Sequence, residues 1–366
     1  MKIYASVALS GDGYMDDRSP RRLILSTPAD WREVMRLRAW ADAILVGAET
    51  VRRDNPSLTV RDEALRTQRL ATGRPAGPVK VTLSRSLRLD PASNFFTAGS
   101  GTRIVFTDNA ATSPFEMAAE IVRGPDLSAA QIVTELEKRG VERLLIEGGP
   151  CTLGLFLKEG LIDTLRVAVN SAVRVGDPCA PRFEAAFDPA VLPQERRLLE
   201  GMEVTTYTLH PDRTEEDLHY LRQAVSLSRR CTPSATSYCV GAVIVTHSGD
   251  IFTGYTHETS HTHHAEQEAI LKATAAGADL HGASIYSSME PCSTRSSEPE
   301  SCSELILRHG FSRTVFALYE PSCFVCCEGA VRLRKGGVEV RVYPQLGSEV
   351  LAVNSHLCRR KEEKVD

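Results

Sequence analysis

His264-Ala265-Glu266, followed by Pro291-Cys292 and then Cys302, is the part of the sequence on which the fold of the C-terminal half turns. One imidazole and two thiolates suit zinc. Three protein ligands leave a fourth position open for water, the arrangement of a catalytic site and not of a closed structural one. Such a site also needs a carboxylate that is not a ligand, to take the water's proton and pass it on. Glu266, two residues after the histidine at a helix start, is the catalytic candidate; His264, Cys292 and Cys302 are the metal candidates.

Working outward, the order of elements fits. Val240–Thr246 and Ile251–Tyr255 read as a hairpin across Ser248-Gly249-Asp250, His264–Ala276 as a helix and Ala283–Ser287 as a strand. Ser301–Arg308 is expected as a helix, Thr314–Leu318 as a strand, Cys327–Lys335 as a helix and Val338–Val342 as a strand, with Leu218–Ser228 a helix ahead of them. His261 and His263 read as solvated loop residues and His257 as a candidate pocket residue. Cys323, Cys326 and Cys327 lack a second ligand pair at structural-zinc spacing and read as core.

The common zinc-deaminase signature is H-x-E followed by P-C-x-x-C. Here the two cysteines are separated by nine residues, Ser293 to Ser301. With Val240–Val245 before the histidine, Ser288-Met289-Glu290-Pro291-Cys292-Ser293 around the first cysteine, and Cys327-Glu328-Gly329 to Val340, residues 218–358 resemble the deaminase domain of the riboflavin-biosynthesis deaminase/reductases. That resemblance implies a cytidine-deaminase-like three-layer α/β/α domain and a Zn2+ cofactor. Tyr238-Cys239 stands where Asn-Pro is frequent in that family, and Thr294 where histidine is frequent.

The N-terminal half alternates strands and helices, which argues for an α/β sheet covered by helices. Lys2–Leu9, Ala43–Val46, Val79–Leu83, Arg103–Thr107, Leu144–Ile146, Thr164–Val169 and Glu203–Leu209 read as strands, and Pro28–Trp40 and Leu127–Arg139 as helices. Thr27 is positioned as an N-cap. Gly148-Gly149-Pro150 follows a strand and precedes a helix. Such a turn either brings backbone N–H groups to a phosphate or is an ordinary tight turn. Arg38 and Arg61 either fork onto a substrate phosphate or are solvated.

Four separated blocks carry a second resemblance: Ser10-Gly11-Asp12-Gly13; Leu37-Arg38-Ala39 before Asp42–Gly47; Thr50-Val51 leading to Asp54–Arg61; and Glu147-Gly148-Gly149-Pro150. They are similar to the reductase domain of the same family, which implies a dihydrofolate-reductase-like fold. The resemblance implies NADPH on Thr50, Asp54 and the turn from Gly148 to Gly154, Pro150 included. It implies a ribosyl phosphate on Arg38, Leu58, Arg61 and Glu147, and a homodimer or higher homo-oligomer. Ile24 stands where tryptophan is frequent, Asn170 where proline is, and Ser84-Arg85 where Asp-Ser is. The order of the two domains is the reverse of the commoner bacterial one.

The whole chain sets bounds. Its 366 residues exceed one hydrophobic core, so two domains are expected: a reductase-like one over 1–210, a linker over 211–217, where the polar run His210 to Asp217 interrupts the apolar pattern, and a deaminase-like one over 218–366. A formal net charge of -4 speaks against nucleic acid as partner, and Arg229-Arg230 and Arg359-Arg360-Lys361 are short solvated runs. No stretch approaches the ~18–20 apolar residues that span a bilayer, and no signal peptide is visible. A cytoplasmic location is the default, with the ten cysteines reduced or bound to metal.

The expected function is deamination of a diamino-phosphoribosylamino-pyrimidinone with NADPH-dependent reduction of its ribose. The alternatives are a related pyrimidine or pterin, a (d)CMP-like deaminase fused to a non-catalytic reductase-like module, or base deamination in nucleic acid.

Overall fold

The computed structural model describes residues 1–358, apart from 20, 114, 186 and 322–326. It divides into two compact units, Met1–Pro211 and Asp212–Asp366.

In the first unit the elements are β1 (Lys2–Ser10), α1 (Pro28–Trp40), β2 (Ala43–Gly47), α2 (Ala48–Asp54), α3 (Glu63–Ala71), β3 (Val79–Leu83), α4 (Asn94–Thr97), β4 (Arg103–Thr107), β5 (Glu120–Arg123), α5 (Ala129–Lys138), β6 (Arg143–Ile146), α6 (Pro150–Lys158), β7 (Thr164–Asn170), β8 (Gln194–Leu199) and β9 (Met202–Thr208). They build one nine-stranded sheet in the order β5-β4-β3-β2-β6-β1-β7-β9-β8. The seven strands from β5 to β7 run parallel, and β9 and β8 close the sheet antiparallel.

The strands' two-residue period distributes the core. Ile3, Ala5, Val7, Ala43, Leu45, Leu144 and Ile146 face one side, under Ile132 and Leu136 of α5 and Phe156 of α6. Ile44, Val46 and Leu145 face the other, with Val51 of α2 and Leu37 and Trp40 of α1. Each fully buried Leu or Ile contributes roughly 1.5–3 kcal/mol. α1 starts as expected: Thr27 accepts from the Asp30 N–H at 3.3 Å, and Pro28 sits where a missing N–H costs nothing. α2, α3 and α6 are short helices that the apolar periodicity does not announce. β5 and β8 went unseen because half-exposed or exposed residues line them.

In the second unit, α7 (Thr214–Ser228), β10 (Gly241–Val245), β11 (Ile251–Tyr255), α8 (Ala265–Ala275), β12 (Ser284–Met289), α9 (Cys302–Arg308), β13 (Arg313–Leu318), α10 (Gly329–Lys335), β14 (Glu339–Val342), α11 (Gly347–Val353) and α12 (Ser355–Cys358) follow. The sheet order is β11-β10-β12-β13-β14. Ala242, Ile244, Ile285 and Phe316 pack against α8, α9 and α10, whereas Val243, Tyr286, Val315 and Ala317 pack against α7 and α11. This gives three layers, α/β/α. Gly241 is required by that packing: a Cβ there would stand 2.1 Å from the Ala224 carbonyl oxygen of α7.

The segment expected as a linker, 211–217, is corrected by the structure. α7 begins at Thr214, and Asp217 is fully buried, forked onto Arg313 and accepting from the Tyr343 hydroxyl at 2.5 Å. Glu215, Glu216 and Asp217 occupy a first helical turn, where negative charge is favoured by the helix dipole. A run that looks like solvent-bound linker is therefore a helix start. Among the described residues no helix is long and apolar enough to cross a membrane.

Candidate metal centre and the cavity of the first unit

The C-terminal end of β12 and the N-termini of α8 and α9 meet at one point. His264 is the N-cap of α8, Cys302 is the first residue of α9, and Cys292 follows β12 by three residues. Ser301 fixes the start of α9 with a reciprocal capping box: its hydroxyl accepts from the Glu304 N–H, and the Glu304 carboxylate accepts from its N–H at 2.8 Å. The nine residues between the cysteines thus leave and return to the same place. The gap is docked by Arg295, which donates to the Gln267 side chain at 2.9 Å and to the Glu300 carbonyl at 2.6 Å.

His264 Nδ1 lies 3.6 Å from Cys292 Sγ and 3.5 Å from Cys302 Sγ, and the three donor atoms all fall within 4.8 Å of one another. Tetrahedral zinc with ordinary Zn–S and Zn–N bonds separates S from N by about 3.5 Å. The donor set and its spacing therefore fit zinc, bound through Nδ1. Among the described residues this is the one cluster of histidine, cysteine and carboxylate groups able to hold a metal.

The electrostatics agree. Cys292 is held as thiolate, its pKa pushed down to about 4, first by the hydrogen bond from Cys302 and then by His264. The Cys302 N–H also donates to its sulfur, at 3.3 Å. Cys302 moves the opposite way, raised by that same bond and by full burial. Burial lowers the His264 pKa, but the hydrogen bond and charge of Cys292, with Glu266, outweigh it and the net shift is upward. An imidazole and two sulfurs within bonding reach of one point are arranged for a divalent cation, whose binding would release the protons they carry.

Glu266 is 3% exposed and is not a member of the ligand triad. Oε1 accepts from the Ser287 hydroxyl at 2.7 Å, and Oε2 lies 3.3 Å from Cys302 Sγ. Ser287 was missed in the sequence; it is an unremarkable strand serine until β12 is placed under α8. His257 has a left-handed backbone, φ 62, and its pKa is lowered by burial and by the nearby His264. His263 is bound to Glu268 at 3.2 Å. Cys327 is buried; Cys323 and Cys326 lie outside the described residues, as do 359–361.

The first unit holds a cavity of about 810 Å³. Thr50, Asp54, Arg38, Leu58, Glu147, Gly148, Gly149 and Pro150 all line it. Arg61 does not: it is exposed, with one 3.3 Å bond to Ser57. Arg38 lies in the wall, but its fork is closed onto Glu147, Nε to Oε1 and Nη2 to Oε2 at 2.6 Å each. Leu58, with φ 49, is a buried non-glycine residue in left-handed backbone. Burial raises the Asp54 carboxyl pKa.

Gly148 and Gly149 have φ 123 and 81, and the Gly47 N–H donates to the Gly148 carbonyl at 3.3 Å. A Cβ on Gly149 would stand 3.2 Å from Thr50 Oγ1 and 3.5 Å from Gly47 Cα. The turn after β6 is thus pressed against the turn after β2, with the starts of α6 and α2 side by side. That bare backbone surface is what a dinucleotide phosphate needs.

Comparison with known proteins agrees with both halves. Residues 1–184 match the model of the RibD C-terminal domain, and residues 214–318 that of the cytidine and deoxycytidylate deaminase zinc-binding region. A diaminohydroxyphosphoribosylamino-pyrimidine deaminase of Schizosaccharomyces pombe is 39% identical over 139 residues, 37% of this chain and 34% of that protein. A 2,5-diamino-6-ribosylamino-4(3H)-pyrimidinone 5′-phosphate reductase of Archaeoglobus fulgidus is 30% identical over 173 residues, 45% of this chain and 78% of that protein. A deaminase/5-amino-6-(5-phosphoribosylamino)uracil reductase structure from Thermotoga maritima aligns with a TM-score of 0.47 at 23% identity, over 57% of this chain and 56% of that one. The chain spans only about a third of the S. pombe relative but most of the archaeal one. With just over half of its length matched by that model, and with the zinc-binding region of the deaminases behind it, the chain belongs to the RibD C-terminal domain family, its reductase part leading and its deaminase part following.

Proposed function

We propose that the chain is a bifunctional enzyme of riboflavin biosynthesis. The second unit deaminates diaminohydroxyphosphoribosylaminopyrimidine hydrolytically, and the first reduces the ribosyl group of the 5-amino-6-(5-phosphoribosylamino)uracil product with NADPH. One observation carries the reading: an imidazole nitrogen and two sulfurs spaced for a single ion, with a buried carboxylate beside them that is not a ligand.

In deamination the ring carbon that bears the amino group gains the oxygen of a water and loses ammonia. Zinc on His264, Cys292 and Cys302, when bound, acidifies that water. Glu266 takes the proton at a carboxylate oxygen and returns it to the departing nitrogen, a task for one group that reaches both atoms. Ser287 holds the carboxylate in place from Oε1.

In the first unit, NADPH, when bound, supplies the hydride to ribose C1. The chain provides a shaped cavity: the Gly148-Gly149 turn with Thr50 and Asp54 for the cofactor, and Glu147, clamped by Arg38, with Leu58 for the phosphoribosyl group. Arg61, exposed and outside the cavity wall, has no part in this assignment. The two catalytic parts are taken to be the two compact units, Met1–Pro211 and Asp212–Asp366. A homo-oligomer in the cytoplasm belongs to the same reading, supported by the family resemblance; light scattering on the purified chain tests the assembly.

The deciding experiment incubates the zinc-replete full chain with the diamino-phosphoribosylamino-pyrimidinone and NADPH. Ammonia release and NADPH oxidation are expected together. A zinc-loaded protein that releases no ammonia rejects the assignment.

A further inference from the structure

Six arginines line the cavity of the first unit: Arg22, Arg38, Arg52, Arg53, Arg85 and Arg166. Five of them have a carboxylate within ion-pair reach. Arg38 lies 2.6 Å from Glu147, Arg166 2.6 Å from Asp30, Arg52 2.6 Å from Glu49, Arg53 3.2 Å from Asp16 and Arg85 3.6 Å from Asp108. Arg22 differs: it is exposed, and among the described residues it makes no hydrogen bond and no ion pair. Its guanidinium carbon stands over the ring of Trp31, 5.6 Å from the centroid. The Arg38 guanidinium lies 5.7 Å from the centroid of the same ring, so Arg22 borders the Arg38–Glu147 pair.

A cation over an indole is held through its charge and the π face. None of the five N–H donors of Arg22 is spent on a protein acceptor. The group is thus steadied at the cavity with its donors open, which suits a forked oxyanion. The charge balance of the cavity says which one. The Arg38–Glu147 fork is closed and neutral as a unit, and the other four paired arginines are offset in the same way. The backbone of the Gly148-Gly149 turn and the helix starts beside it serve the cofactor's phosphates in the reading above. A phosphoribosyl substrate brings one more phosphate, of about -1.5 to -2 charge at neutral pH. Glu147 repels it and the closed fork does not neutralise it.

We infer that Arg22 binds the 5′-phosphate of the reductase substrate and makes the first unit select phosphorylated over unphosphorylated pyrimidine ribosides. This rests on the reading of the first unit as a reductase of a phosphoribosyl pyrimidine and names the residue of it that reads the phosphate. The phosphate sits at the far end of the ribose from C1, so Arg22 touches no reacting atom. Its contribution is read in kcat/KM for the phosphorylated compound alone.

The test supplies the full chain and its Arg22→Ala variant with NADPH and either the aminouracil ribosyl phosphate or the same riboside without its phosphate. In Arg22→Ala, kcat/KM for the phosphorylated compound should fall about tenfold or more, the loss expected when charge-assisted hydrogen bonds are removed. For the riboside it should stay within about twofold of the parent. Where the riboside turns over too slowly to read, its inhibition constant against the phosphorylated substrate stands in. NADPH affinity, read by fluorescence titration, should also stay within about twofold, and Tm should not move, since Arg22 is exposed. The inference is overturned if the variant handles both compounds as the parent does, or if both weaken equally. It is overturned as well if NADPH affinity falls instead, which would give the cation to the cofactor. A parent that binds NADPH yet reduces neither compound overturns the reductase reading, and this inference with it.

Discussion

Glu266→Gln separates the proton shuttle from everything else the metal centre does. The side chains have the same shape. The glutamine carbonyl can keep the 2.7 Å bond from Ser287, and its amide can donate toward Cys302 Sγ, 3.3 Å from the present carboxylate oxygen. His264, Cys292 and Cys302 are untouched, so zinc content should remain one per chain. What is lost is the ability to take a proton, because an amide does not titrate in this range. General acid–base catalysis contributes about 10²–10⁴-fold, or about 3–5 kcal/mol of barrier. Ammonia release should therefore fall by that factor in kcat with KM little changed, while NADPH oxidation by the first unit, supplied directly with the aminouracil product, continues at the parent rate. Metal analysis, a coupled ammonia assay and an NADPH assay on one preparation read all three quantities. Deaminase turnover within tenfold of the parent at full zinc occupancy would refute the role given to Glu266.

Other substitutions probe the supports. Ser287→Ala removes a hydrogen bond to a charged oxygen, worth about 1.5–3 kcal/mol; part of it should be felt as a roughly tenfold lower deaminase kcat at unchanged zinc content, and an unchanged kcat would remove Ser287 from the site. Gly149→Ala places a Cβ at φ 81, 3.2 Å from Thr50 Oγ1, so the NADPH dissociation constant should rise tenfold or more in a fluorescence titration while ammonia release is unaffected. Asp217→Asn leaves the buried Arg313, among the described residues, with Glu339, 3.3 Å from its Nε, as its charged partner. Breaking such a pair costs about 3–5 kcal/mol, and Glu339 keeps the cost near the lower end. Melting of the second unit should then come down by roughly 6–12 °C, at about 2–4 °C per kcal/mol.

The difference between what the sequence disclosed and what it hid follows from how local each feature is. Pro28–Trp40, Val79–Leu83, Arg103–Thr107 and Ile251–Tyr255 are read with the ends the structure gives them, because apolar periodicity and a cap or turn bound each one. β8 escaped because an edge strand of exposed Gln, Glu and Arg carries no apolar period. α7 lost its first turn to a linker because acidic residues at a helix start look like solvent-exposed chain. Among functional residues, His264, Glu266, Cys292 and Cys302 have chemistry that only a metal site explains at that spacing. Ser287 has chemistry that any strand tolerates; only the register that sets β12 under α8 gives it meaning. Arg61 shows the converse, a residue brought forward by its motif that the fold leaves in solvent.

Both sites obey one geometric rule, and this explains why two unrelated chemistries are placed alike. Ligands gather at the carboxyl ends of parallel strands, where the loops into the next helices open. In the first unit the cavity wall is Gly47 at the end of β2, Ser84 just past β3 and Glu147 just past β6, with the starts of α2 and α6 beside them. In the second unit Cys292 lies past the end of β12, and His264 and Cys302 sit at the starts of α8 and α9. Helix starts present unpaired N–H groups, so they favour thiolate, carboxylate and phosphate in the same way. The Cys302 N–H bond to the Cys292 sulfur is that effect on a proposed metal ligand. The Gly148-Gly149 turn ahead of Pro150 would offer it to the phosphate of the proposed cofactor. The residues proposed for each site come from one stretch of chain, Met1–Pro211 for the cavity and Asp212–Asp366 for the metal cluster.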